Sequence, residues 1–156
     1  MNMTKGELLE LAHLLEEIKN KGSVLFRYLV IKNIAALKEI KDILLNIANE
    51  HKKILADFEV DRNELISKIG EPKEGRYVID INNEEVLKLF NEGLKELTSK
   101  HKESLDLFQN NFTEYKELLK EELETSPELI RIPAEYLPED ITSPQLEFLN
   151  SFNLIE

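Results

Sequence analysis

The chain contains no cysteine. Disulfides and thiolate metal sites are therefore excluded, and nothing signals an oxidising compartment. Glycine and proline are scarce, five of each in 156 residues, which favours long uninterrupted elements. Long apolar runs are missing too. The longest, residues 24–31, is interrupted by Arg27 and is far below the ~20 residues needed to span a bilayer. A secretory signal needs an uncharged apolar stretch near the N-terminus, where this chain carries Glu7, Glu10, Glu16 and Glu17. The expectation is a cytoplasmic protein with no membrane contact. Cations are in deficit: 20 Lys and Arg stand against 31 Asp and Glu, a net charge of −11. Direct binding to nucleic acid or an anionic surface needs clustered cations, and is not expected.

Catalytic signatures are equally absent. There is no Gly-x-Ser-x-Gly, no His-Glu-x-x-His and no acidic calcium loop, and serines and threonines fall at helix caps without an evident base. Gly70 to Gly75 has the glycine spacing of a phosphate loop. However, it follows a helix, and Arg76-Tyr77 stands where Lys-Ser/Thr is required. Glu10-x-x-His13 has the spacing of a carboxylate-bridged di-iron helix, but such sites need a second copy and two more inward glutamates. The chain is expected to be no enzyme and to hold no cofactor or metal.

What is present is helical periodicity. Thr4 and Glu7 form a capping box. Leu8, Leu11, Ala12, Leu15 and Ile18 then recur at three- and four-residue spacing up to a left-handed Gly22 cap. A second stripe starts after Ser23 and is apolar over a wide arc, which requires cover on more than one side. Beyond Ala48 it narrows to His51, Ile54, Leu55, Phe58, Leu65 and Ile69, enough for one partner helix. Gly70-Glu71-Pro72 stops it. A turn and an alternating segment over 76–81 follow, a strand candidate. A third stripe holds Val86, Phe90, Leu94, Leu97, His101, Leu105, Phe108, Phe112, Tyr115, Leu119 and Leu123, with its aromatics read as packing groups. Residues 129–133 form a second strand candidate, able to pair with 77–81 if the third helix bends. Thr142 or Ser143 caps a last short helix with Pro144 in its first turn.

The expected fold is mainly all-α, with helices over 4–20, 23–69 and 83–124. They form a long antiparallel helical hairpin within a three-helix bundle, with one or two short β-strands and a short C-terminal helix. Residues 1–124 are the expected bundle. Residues 125–156, with six acidic side chains against Arg131 alone, form an acidic C-terminal segment packing on it.

Folded about Arg76, the hairpin brings residues whose numbers sum to about 152 to one level, which pairs His51 with His101. Such a pair is a pH-sensitive contact or part of a metal site, or simply two seam histidines satisfied by polar neighbours. The lack of a carboxylate or third histidine at ligand spacing favours the last. Glu114, Glu117, Glu121, Glu122 and Glu124 crowd a helix end whose dipole disfavours anions. They read as a solvated face, or as an acidic surface that mimics nucleic acid or docks a basic partner. The broad apolar arc around Tyr28, Ile31 and Leu37 reads as an interaction face.

The segments Arg-Asn-Glu-Leu-Ile-Ser-Lys-Ile-Gly-Glu-Pro (62–72), Tyr-Val-Ile-Asp-Ile (77–81) and Leu-Pro-Glu-Asp-Ile-Thr (137–142) resemble those of small phage and prophage helical proteins of unknown function. The resemblance covers about half the chain, implies no activity and transfers no site residue. The expected function is that of a non-enzymatic protein–protein interaction module, a structural, assembly or adaptor component, with a protein partner or a homo-oligomer. The alternative is an acidic inhibitor of a host or defence protein.

Overall fold

The computed structural model describes residues 2–156. In chain order it contains α1 (Lys5–Ile18), α2 (Val24–Ile54), α3 (Ala56–Ile69), strands β1 (Glu71–Lys73) and β2 (Arg76–Val78), α4 (Glu84–Lys100), α5 (Lys102–Lys120), a 3-10 turn (Ala134–Tyr136) and α6 (Ser143–Ser151). The chain is mainly helical, and local cap chemistry sets several of its boundaries. The Thr4 hydroxyl accepts from the Glu7 amide while the Glu7 side chain accepts from the Thr4 amide. Thr142 and Gln145 do the same at α6, with Pro in its first turn. Gly22 takes a positive φ of 71°, and the Ser23 hydroxyl accepts from the Phe26 amide, 3.2 Å away, to start α2.

Two expected helices are each broken in two. The stretch 23–69 breaks at Leu55 (φ −92°, ψ 2°), whose amide bonds back only three residues, to Lys52. The stretch 83–124 breaks at His101 (φ −104°, ψ 22°). Just before it, the Thr98 hydroxyl donates to the Leu94 carbonyl, 2.8 Å away. Back-bonding of this kind bends helices.

The chain divides into two compact units, one made of the residues up to Ile47 and from Tyr115 onward, the other of Ala48–Glu114. This replaces the expected division at 124/125. The physical reason lies in the C-terminal segment, which supplies part of the first unit's core. Ile132, Leu149 and Leu154 are buried in one cluster with Leu11 and Leu15 of α1 and Phe26 of α2. Residues 129–133 are not strand-paired with 77–81. Instead Ile132 bridges Ile155 in parallel, and the Ile132 amide donates to Leu154 and the Glu156 amide to Ile132. On the N-terminal side Thr4 bridges Glu122, with the Leu123 amide donating to Met3.

In the second unit α3 packs on α4, and β1 and β2 form a two-stranded antiparallel ribbon between them in sequence. Both turn residues, Glu74 and Gly75, have positive φ (51° and 79°), which a two-residue hairpin turn of matching twist requires. Gly93 permits the closest helix approach, since a Cβ there would lie 2.6 Å from Leu65 Cδ1. No residue of this unit is fully buried. Its seam is half-covered throughout, as a two-helix layer must be.

Candidate interaction surfaces

α2 carries the widest apolar arc because its first four turns are apolar on two opposite faces. The inner face, Phe26, Val30, Asn33, Leu37 and Leu44, is buried. On the outer face Val24, Tyr28 and Ile31, spaced i, i+4, i+7, are 72%, 56% and 53% exposed, with exposed Leu25 beside them. The arc therefore separates Tyr28 and Ile31 from Leu37, which is completely buried. Leu37 belongs to the core, not to an interaction face. Residues 24–38 include Arg27, Lys32 and Lys38 and no acidic residue. The Lys32 ammonium lies 5.9 Å from the Tyr28 ring centroid. Farther along, the outer face turns polar with the Lys38–Asp42 ion pair.

Asn33 was not singled out by periodicity, yet it is the one fully buried polar side chain among the described residues. Its Nδ2 donates to the Ile130 carbonyl (2.9 Å), and its Oδ1 accepts from the Ile130 amide (2.7 Å). The signal available was a lone asparagine within an apolar run, a residue type rarely buried without partners.

The five carboxylates at the end of the third stripe are mostly engaged within the chain. Glu117 pairs with Lys120 at 2.7 Å, which holds its carboxyl below the usual range, chiefly through the hydrogen bond. Glu121 and Glu124 take the Lys5 ammonium at 3.2 and 2.9 Å. Glu122 accepts from the Asn2 carboxamide at 2.8 Å, and Glu114 is exposed on α5. Lys5 is buried, and its pKa is raised, first by the hydrogen bond to Glu124. The clustering at a helix end disfavoured by the dipole thus has a local cause. Glu121, Glu122 and Glu124 fasten residues 2–5 over the end of α5.

The histidines occupy other levels than expected. His101 Nε2 lies 2.7 Å from Asp61 Oδ2, and its ring meets Phe58 edge-on at 5.7 Å. Lys100 also reaches Asp61, at 2.8 Å. These contacts, with Leu65 against Gly93, put facing residue numbers at sums near 160 rather than 152. The extra residues lie in the β-ribbon, which moves the fold-back point to about residue 80. His101 is therefore level with Phe58–Asp61. His51, seven residues before Phe58, is about 10 Å away along the helix axis and half-buried. Asp61 is held below the usual carboxylate range, first by Lys100 and then by His101. His13 is exposed and pairs with Glu17 at 3.1 Å. Phe108 stacks on Phe112 at 6.0 Å.

Among the described residues no group of three His, Asp or Glu side chains is placed to hold a metal ion, and no helix is long and apolar enough to cross a membrane. Compared with known protein families, curated proteins and solved structures, the chain matches none.

Proposed function

We propose that the protein is a non-enzymatic interaction module, an assembly or adaptor component. Its α2 outer face receives an amphipathic helix of another protein. The observation that carries this reading is the exposure of Val24, Tyr28 and Ile31 on the face opposite a complete core. A large apolar set of this kind on one helix face is a site for cover. Arg27 and Lys32 edge that face in a chain of net charge −11, which selects a partner helix flanked by acidic residues.

The second reading, an acidic inhibitor carried by Glu114 to Glu124, has weaker support, because four of those five carboxylates are already engaged within the chain. One experiment separates the two. Tagged protein and its Tyr28→Glu variant are used as bait in a bacterial lysate at low and high salt. A stoichiometric partner that survives high salt and is lost with Tyr28→Glu supports the helix-docking module. A partner lost at high salt and kept by the variant supports the inhibitor. No partner in either condition overturns both.

A further inference from the structure

The β-ribbon of the second unit is short and open. β1 and β2 have three residues each, all exposed, paired Glu71 with Val78, Pro72 with Tyr77 and Lys73 with Arg76. Two-stranded ribbons are marginal in water, and sheet stability of their own takes three or more strands with an apolar face. The surrounding unit offers little support, since none of its residues is fully buried.

The two outer edges of the ribbon are not equivalent. In a two-residue hairpin the residues flanking the turn, Lys73 and Arg76, exchange both backbone hydrogen bonds, and so do Glu71 and Val78 two positions farther on. The middle pair points its backbone groups outward. On β1 that residue is Pro72, which has no N–H, so this edge is blocked. On β2 it is Tyr77, which offers both an N–H and a C=O, and Ile79 follows with the same parity. Only the β2 edge can accept another strand.

We infer that this strand is the β2 edge of a second copy, paired antiparallel about a two-fold axis at Val78. In this register Tyr77 of one copy exchanges backbone bonds with Ile79 of the other. Arg76 of each copy stands opposite Asp80 of the other. Among the described residues neither Arg76 nor Asp80 is in an ion pair, and the Asp80 carboxylate accepts only from the nearby Asn82 amide, at 3.0 Å. The neighbouring registers of correct parity do worse. Centring on Tyr77 sets Asp80 against Glu74, and centring on Ile79 sets Asp80 against Val78. The Val78 register also sorts the side chains, because successive residues point to opposite faces. Pro72, Tyr77 and Ile79 of both copies share one face, giving a four-stranded sheet the apolar side that the lone ribbon lacks. The contact is isologous and closes at two copies.

The test uses the full chain and its native mass by light scattering over a concentration series. The expected result is twice the monomer mass. Arg76→Asp and Asp80→Arg each place like charges opposite each other in two symmetric pairs, and each alone should weaken the dimer about tenfold or more. An equimolar mixture of the two variants restores both ion pairs and should recover the dimer, as should the double variant. Tyr77→Pro removes the outward donor while sparing the bonds within the ribbon, and should be monomeric with unchanged helical circular dichroism. A monomeric unsubstituted protein overturns the inference. So does a dimer indifferent to Arg76→Asp and Asp80→Arg, or a mixture no more dimeric than its components.

Discussion

Replacing Asn33 tests how the C-terminal segment is held to the first unit. The side chain is fully buried and makes two hydrogen bonds to the backbone of Ile130. Each such bond contributes about 1 kcal/mol net, and leaving a partner unsatisfied costs about 1–3 kcal/mol. Ile130 is 41% exposed, so water can reach part of what is lost, and the lower end of that range applies. With the packing lost on truncation, Asn33→Ala should destabilise the segment by about 3 kcal/mol. Amide exchange at Ile132 and Glu156, whose hydrogens bond Leu154 and Ile132, is the direct readout. It should accelerate about 100-fold. Asn33→Asp sharpens the argument. Protonated, the new acid can donate to the Ile130 carbonyl and accept from its amide, as the carboxamide does. Ionised, it sets a buried charge against that carbonyl. Burial raises its pKa in the folded state. The variant should therefore be close to the unsubstituted protein below the ordinary carboxylate range and lose stability as pH rises through the raised value. An Asn33→Ala exchange rate within threefold of the original, or an Asn33→Asp deficit that does not grow with pH, would refute the reasoning.

Further expectations concern both units. Gly93→Ala gains about 1 kcal/mol of helix propensity but drives its Cβ to 2.6 Å from Leu65, a conflict costing about 1–3 kcal/mol. The second unit should be less stable by urea titration, and Leu65→Ala in the same chain should remove the clash, giving a positive coupling in the double-mutant cycle. Asp61 has its pKa depressed by Lys100 and His101. Its contribution is fully present above the ordinary carboxylate value of about 4 and is lost as pH falls through the depressed value. Acid should thus weaken the second unit only below about pH 4, and Asp61→Asn should flatten that dependence in a circular-dichroism titration. Glu124, lowered by Lys5, follows the same sign in the first unit, so Lys5→Met should raise the Glu124 pKa in an NMR titration.

The features legible in the sequence are those with short-range causes. Thr4–Glu7 announces its capping box and Gly22 its left-handed turn, the cap of the last helix is narrowed to Thr142 or Ser143, and the 76–81 alternation announces its strand. The strand facing it was hidden because Pro72 reads as a helix stop. The turn there is legible, but not as a two-residue Glu74-Gly75 hairpin turn pairing Lys73 with Arg76. The breaks at Leu55 and His101 left no mark on the apolar stripe, since one irregular residue barely shifts a 3.6-residue period. Fold-back register was also misjudged. It depends on how many residues the ribbon absorbs, and eight added to the sum of facing numbers moved His101 from His51 to Asp61. Of the residues read as an interaction face, Tyr28 and Ile31 are exposed and Leu37 is buried, because an arc apolar all round does not say which side the core takes.

The first unit is discontinuous, and this bears on how the protein emerges from the ribosome. Leu8, Leu11, Leu15, Phe26 and Leu37 are synthesised early, but the residues that cover them, Ile132, Leu149 and Leu154, come after the whole of Ala48–Glu114. Translation takes several seconds to cross that interval. Throughout it the early helices present an uncovered apolar surface, while the second unit, local in sequence, can already form. Synthesis therefore yields the Ala48–Glu114 unit first and the discontinuous unit last. A stalled or truncated chain would carry a folded Ala48–Glu114 unit beside sticky N-terminal helices, a natural substrate for chaperones and proteases.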